Sequence, residues 1–199
     1  MSTIAIIDSG GANIASLLFA FERLETNAEL TTDADVIRSA DRVLLPGVGA
    51  AKDAMDRLRE AQLVDVIRGL TQPVLGICLG MQLLLDGSEE EDVECLGIVP
   101  GTAELLPSAP LRPVPNMGWC ATTKTSEHAL LDGIKDGSYF YYLHSYALPV
   151  SQYTLATARH GEPFSAVIGH ENFVASQFHP ERSSRAGARL LRNFIGDAA

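Results

Sequence analysis

The chain has 199 residues, 46% of them hydrophobic and 20% charged, which suits an ordinary globular protein with a sizeable core and is read as one domain over 1–199. Its net charge of −10, with no cluster of Lys and Arg, argues against a nucleic-acid surface. No stretch approaches the roughly 20 apolar residues of a membrane span, and the apolar run at 4–7 lacks a basic flank, so no membrane contact or signal peptide is expected and the cytoplasm is the expected compartment.

Residues 4–7 form an unbroken apolar run closed by Asp8, which predicts a first strand buried on both faces. Asn13 is placed to cap a helix whose apolar positions are Ile14, Leu17, Leu18, Phe21 and Leu24. A short strand is predicted at 28–30, then a brief helix opened by Asp33 with Val36 and Ile37 inward. Residues 42–45 predict the next strand, running into a loop, Pro46-Gly47-Val48-Gly49. A long amphipathic helix follows, with Met55, Leu58, Leu63, Val66, Ile67 and Leu70 as its stripe. Residues 74–78 predict a strand that breaks at Cys78, with a helix beginning at Leu79. This alternation argues for a doubly wound α/β sheet.

Beyond that helix the texture changes. Residues 89–92 are an acidic run, and 96–115 hold five prolines, which suggests short strands and exposed loops. Aromatic-rich 139–146 reads as one strand, with further strands at 153–158, 164–168 and 172–178. A closing helix uses Ala188, Leu190, Leu191, Phe194 and Ile195.

The three cysteines, Cys78, Cys95 and Cys120, are odd in number and lack metal-ligand spacing, as expected of individual thiols; no metal or cofactor is indicated. Cys78 stands where a strand turns into a helix, a position near amide donors that favour a thiolate; a packed, inert cysteine is the plainer reading. A cysteine hydrolase also needs a base, a group that orients it, and donors for the oxyanion. His128, His160 and His170 lie in polar or glycine-rich turns and read as surface residues. His179 has Glu181 two positions on, across Pro180. Pro180 pushes His179 towards extended backbone, where i and i+2 point the same way, although His-Pro-Glu can also be a simple turn. The Leu79 amide and the Pro46–Gly49 loop are the candidate oxyanion donors.

Gly76-Ile77-Cys78-Leu79-Gly80-Met81-Gln82, with Pro46-Gly47-Val48-Gly49 before it and His179-Pro180-Glu181 after it, resembles the signature of the class I (triad) glutamine amidotransferases. Within that family the chain is most similar to the glutaminase subunits of imidazole glycerol phosphate synthase. That similarity rests on 8–13, 88–90, Pro115-Asn116-Met117-Gly118-Trp119, 139–146 and 177–183.

The resemblance implies an open, mostly parallel, flavodoxin-like sheet with helices on both faces and a smaller antiparallel β elaboration in the second half. It implies hydrolysis of glutamine to glutamate and ammonia by a Cys78–His179–Glu181 triad. Val48 and Leu79 would hold the oxyanion, with Gly47 and Gly49 giving the loop its freedom. Gln82, Glu90, His144, Ser145 and Tyr146 would line the glutamine pocket. The implied partner is a TIM-barrel synthase subunit that receives the ammonia, met by Asn13, Trp119 and Tyr141. The loop is expected to need reorientation before it can bind an oxyanion. Asn116 and Cys120 depart from the subfamily's usual His and Asn, in a segment the family places near the partner. A glutaminase subunit of the pyridoxal phosphate or anthranilate synthase type, or a catalytically silent binding module, are the alternatives.

Overall fold

The structure is a computed structural model that describes residues 3–10 and 14–196, so Asn13, expected as a helix cap and interface residue, lies outside the described residues. In chain order the elements are β1 (Thr3–Ile7), α1 (Ile14–Arg23), β2 (Asn27–Thr31), α2 (Ala34–Ser39), β3 (Arg42–Gly47), α3 (Ala51–Glu60) and α4 (Val64–Arg68). Then come β4 (Val74–Cys78), α5 (Leu79–Leu83), β5 (Leu85–Ser88), β6 (Val93–Glu94), β7 (Val99–Leu105), β8 (Asn116–Lys124) and β9 (Ser138–His144). The chain ends with β10 (Tyr146–Ala147), β11 (Thr154–His160), β12 (Glu162–His170), β13 (Phe173–Ser176) and α6 (Ser184–Ile195).

Nine strands form one sheet in the order β2-β1-β3-β4-β13-β12-β11-β8-β9. Its first five strands run parallel, and from β13 onward each neighbour is antiparallel. The antiparallel strands of the second half thus extend the parallel sheet. The rest of the elaboration is a mixed sheet, β10-β7-β5-β6, with β5 and β7 parallel.

The parallel strands are apolar throughout because both faces are covered. In β1, Ala5 and Ile7 enter one core while Ile4 and Ile6 enter the other; β3 divides Val43 and Leu45 from Leu44 in the same way. Helices α2, α3 and α4 pack Ile37, Met55, Leu58, Val66 and Ile67 into the first core. Helices α1 and α6 pack Leu17, Phe21, Leu190, Leu191 and Phe194 into the second, each such side chain contributing about 1.5–3 kcal/mol.

Three local expectations change, and one helix end that the sequence leaves open is set. The long helix is two, α3 and α4, separated by Gln62 at φ 56°. At 100° per residue Leu58 and Ile67 lie roughly 180° apart, so one straight helix could not bury both, yet both are fully buried. The helix after Cys78 ends at Leu83, its five residues all buried, because Leu85 already enters the second sheet. The aromatic strand breaks at Ser145, where the chain leaves one sheet for the other. Only Ile37 of the α2 pair is fully buried; Val36 is half-buried. Among the described residues no helix is long and apolar enough to cross a membrane.

Candidate active site

Strand β13, last in the sequence, inserts beside β4 and runs parallel to it, with Ser176 opposite Ile77. The carboxyl ends of two segments about a hundred residues apart therefore meet, where ligands of open α/β sheets gather. Cys78 ends β4 with φ 53° and ψ −108°, a sparsely populated conformation for a residue with a side chain. The turn is forced by close packing. A Cβ on Gly80 would stand 1.7 Å from the Leu45 carbonyl oxygen, and one on Gly76 would stand 2.9 Å from that of Gly80. Two glycines flanking the cysteine let α5 start against β3 and aim the thiol out of the sheet.

His179 is extended (φ −96°, ψ 97°), as a residue before proline should be. Glu181 is not in extended backbone, however: Pro180–Arg182 form a 3₁₀ turn. That turn still brings Glu181 Oε1 to 3.0 Å from His179 Nδ1, with both side chains buried. Nε2 is left for Cys78. Burial alone would lower the His179 pKa, but hydrogen bonds and charge from Cys78 and Glu181 outweigh it and raise the value to about 10. His179 is pinned further by its backbone: its N–H donates to the Tyr141 carbonyl, and the Ser183 hydroxyl donates to its carbonyl.

A cavity of about 480 Å3 opens over the cysteine, lined by Val48, Gly49, Cys78, Leu79, Gln82, Glu90, His144, Ser145, Tyr146, His179 and Arg182, with Pro115 and Leu143. Most of the residues singled out from the sequence are thus gathered at one site. Gly47 is not in the cavity. With Pro46 it belongs to β3, facing Cys78 across the ladder.

The parallel register has a consequence for the loop. Val43 N–H donates to Pro73, so Val43, Leu45 and Gly47 turn their polar groups towards β4. Gly47 stands close against the turn into α5, where a Cβ on it would lie 2.9 Å from the Leu79 Cβ. Gly49, at φ 94° with open space around its Cα, is where this loop can turn.

The residues expected to line the glutamine pocket are held in a network. Gln82 donates through Nε2 to the Tyr146 carbonyl (3.0 Å) and reaches Gln177 Oε1 (3.5 Å); Gln177 Nε2 lies 3.9 Å from Cys78 Sγ. No role was expected of Gln177, although a polar residue ending an apolar strand two positions before His179 was a visible signal. His144 has both ring nitrogens engaged, Nδ1 with the Tyr146 carbonyl (2.9 Å) and Nε2 with the Asn116 amide (3.0 Å). Burial pushes its pKa down to about 4. Glu90 accepts from Ala51 N–H (3.1 Å), the first amide of α3, directly after the glycine loop. The other three histidines are half-buried and serve locally, His128 accepting from Leu130 N–H and His160 bonding the Pro113 carbonyl.

Strands β8 and β9 present one exposed apolar face at the sheet edge. Met117 pairs with Leu143 and Trp119 with Tyr141, while their even-numbered neighbours Asn116, Phe140 and Tyr142 are buried. Trp119 is 51% exposed and meets Tyr141 edge-on at 6.1 Å, and the Arg182 guanidinium sits 4.6 Å over the Tyr141 ring. Asn116 and Cys120 are on the opposite face from Trp119, Asn116 bonding His144 and the Cys120 thiol bonding Asn116. Among the described residues no group of three or more His, Cys, Asp or Glu could hold a metal.

A family model described as glutamine amidotransferase class I matches residues 5–198. The chain is 50% identical over 195 residues to the imidazole glycerol phosphate synthase subunit HisH of Pasteurella multocida (strain Pm70), covering 98% of each. It is 48% identical to the HisH subunit of Vibrio cholerae serotype O1, covering 96% of this chain and 97% of the other. A solved glutamine amidotransferase, 17% identical, shares the fold with a TM-score of 0.74 over 97% of both chains. With a strand–cysteine–helix turn, a buried His–Glu pair beside it and this extent of likeness, the chain belongs to the class I glutamine amidotransferase family.

Proposed function

We propose that this chain, as one amidotransferase domain, is the glutaminase subunit of an imidazole glycerol phosphate synthase. The observation that carries the reading is Cys78 on its strained turn with the buried His179–Glu181 pair beside it, at the floor of a cavity of about 480 Å3. Cys78 Sγ attacks the side-chain amide carbon of glutamine. His179 gives the departing nitrogen a proton, so ammonia leaves and a glutamyl thioester remains. His179 then takes a proton from water, which adds to the thioester carbon and releases glutamate and the thiolate. Glu181 keeps the Nδ1 proton in place and stabilises the imidazolium.

The amides of Val48 and Leu79 hold the oxyanion once the 47–48 peptide has turned over, which the glycines on either side of Val48 permit. Until then the loop lacks its donor, so the unpartnered chain is a poor glutaminase. Glu90, with Gln82, Ser145 and Tyr146, orients the substrate's amino-acid end. Ammonia released to water would be protonated and diluted, so it passes to a TIM-barrel synthase subunit. The apolar face of β8 and β9, with Trp119 and Tyr141 at its centre, is the surface offered to that partner. Cys78→Ala tests the assignment: glutamine hydrolysis disappears while complex formation with the synthase persists. Undiminished hydrolysis in this variant rules out Cys78 as the nucleophile. Equal turnover with and without the ligand-bound synthase rules out the loop as a switch.

A further inference from the structure

We propose that Asn116 is a positioning residue for the glutamine pocket: it holds His144 as the neutral Nδ1–H tautomer, and His144 in turn fixes the Tyr146 carbonyl on the pocket wall. This rests on the glutaminase reading of the cavity. Asn116 itself touches no substrate; it is 3% exposed at the start of β8, behind His144.

In a neutral His144 only one arrangement of protons satisfies the network. The Tyr146 carbonyl can only accept, so the His144 nitrogen 2.9 Å from it, Nδ1, carries the proton. In a neutral ring Nε2 then bears a lone pair and must accept, which requires the Asn116 Nδ2 amide at 3.0 Å. That orientation turns Asn116 Oδ1 to the Cys120 thiol, 3.6 Å away, which donates to it. Flipping the amide would set two acceptors against each other at Nε2, or else force the ring proton off the Tyr146 carbonyl. Two environmental effects keep the chain in this state. Burial holds the Cys120 pKa above its ordinary value, so the thiol remains a donor, and burial holds the His144 pKa near 4, so the ring stays neutral.

The consequence reaches the substrate site through one atom. The Tyr146 carbonyl accepts from both His144 Nδ1 and Gln82 Nε2, and Gln82 and Tyr146 both line the cavity over Cys78. The Tyr142 and Phe164 rings pack 5.7 and 5.0 Å from the imidazole, so the ring has no other polar partner to turn to among the described residues. Without the Asn116 donor, Nε2 is a buried acceptor with nothing to accept, and the ring is released to rotate or protonate. What moves is the 144–146 wall. Substrate binding is therefore affected more than the chemistry at Cys78.

Two readouts test this. On the full chain labelled with ¹⁵N-histidine, the wild-type His144 signal shows a neutral ring protonated at Nδ1 and does not titrate between pH 5 and 8. Asn116→Asp, nearly the same shape, replaces the donor with an acceptor, so His144 takes a second proton at neutral pH. A wild-type ring protonated at Nε2, or a ring still neutral in Asn116→Asp, overturns the proposal. In the complex with the synthase, Asn116→Leu raises the glutamine KM about tenfold while kcat stays within about threefold. An unchanged KM with a lower kcat also overturns it. Absence of wild-type glutaminase activity with the synthase would instead sink the functional reading, leaving the tautomer measurement to decide the role of Asn116.

Discussion

Gly80→Ala is the substitution that the packing of the Cys78 turn forbids most directly. The added methyl carbon would lie 1.7 Å from the Leu45 carbonyl oxygen and 2.8 Å from its carbon, against an ordinary contact of at least 3.4 Å. The obstacle is the backbone of a central strand, so no side chain can swing away; α5 and β3 must separate by about 1.7 Å. Overpacking of a core costs about 1–3 kcal/mol, and a backbone clash between two buried elements belongs at the upper end. With a urea m-value near 2 kcal/mol/M, the unfolding midpoint should fall by about 1.5 M. The same displacement shifts Cys78, two residues earlier, and Val48, one residue past β3. A misplacement of about 1 Å at reacting groups costs on the order of 10²-fold in rate. Urea unfolding followed by circular dichroism, with glutaminase turnover in the synthase complex, measures both. A Gly80→Ala protein with the wild-type midpoint and turnover would refute the claim that close approach of α5 to β3 builds the site.

The His179 pKa, raised from 6.5 to about 10, makes a stability contribution that is full below about pH 6.5 and lost as pH rises through 10, because the folded state binds the extra proton in that window. The stability advantage of wild type over His179→Gln should therefore shrink between pH 7 and 10; a constant difference in urea midpoints contradicts the ion-pair account. Glu90→Ala removes the carboxylate that accepts from Ala51 N–H, so it should destabilise the chain by about 1 kcal/mol and raise the glutamine KM, measured by urea unfolding and steady-state assay. An unchanged KM would confine Glu90 to capping α3. Trp119→Ala removes a side chain already 51% exposed, so thermal stability should hold while affinity for the synthase falls at least tenfold by calorimetry. Unaltered affinity would place the interface elsewhere.

Much of the site was legible in residues because its parts are local motifs. Gly76-Ile77-Cys78-Leu79-Gly80 codes its own strained turn, since close backbone approach needs glycine wherever the sheet around it lies. His179-Pro180-Glu181 codes a buried pair, although a 3₁₀ turn, not extended backbone, brings the carboxylate to the ring. Apolar runs at 4–7, 42–45 and 74–78 announced strands covered on both faces. Boundaries were less visible. Nothing local breaks 51–70 into two helices; the need to bury both Leu58 and Ile67 against one sheet does.

By itself, then, the sequence determined which chemistry is present: a cysteine on a glycine-flanked turn, a histidine with its carboxylate, and a glycine loop at a strand end. Each depends on residues within a few positions of one another, whose conformational preferences act over that range. Tertiary structure alone decided how those groups face one another. Pairing of β13 with β4 sets His179 beside Cys78, and the β3 ladder sets Gly47 opposite Cys78. The alternation of β8 turns Trp119 outward and Asn116 inward to His144. Those relations are fixed by strand order and register, which arise from burying two faces of one sheet at once and leave no mark at any single position in the chain.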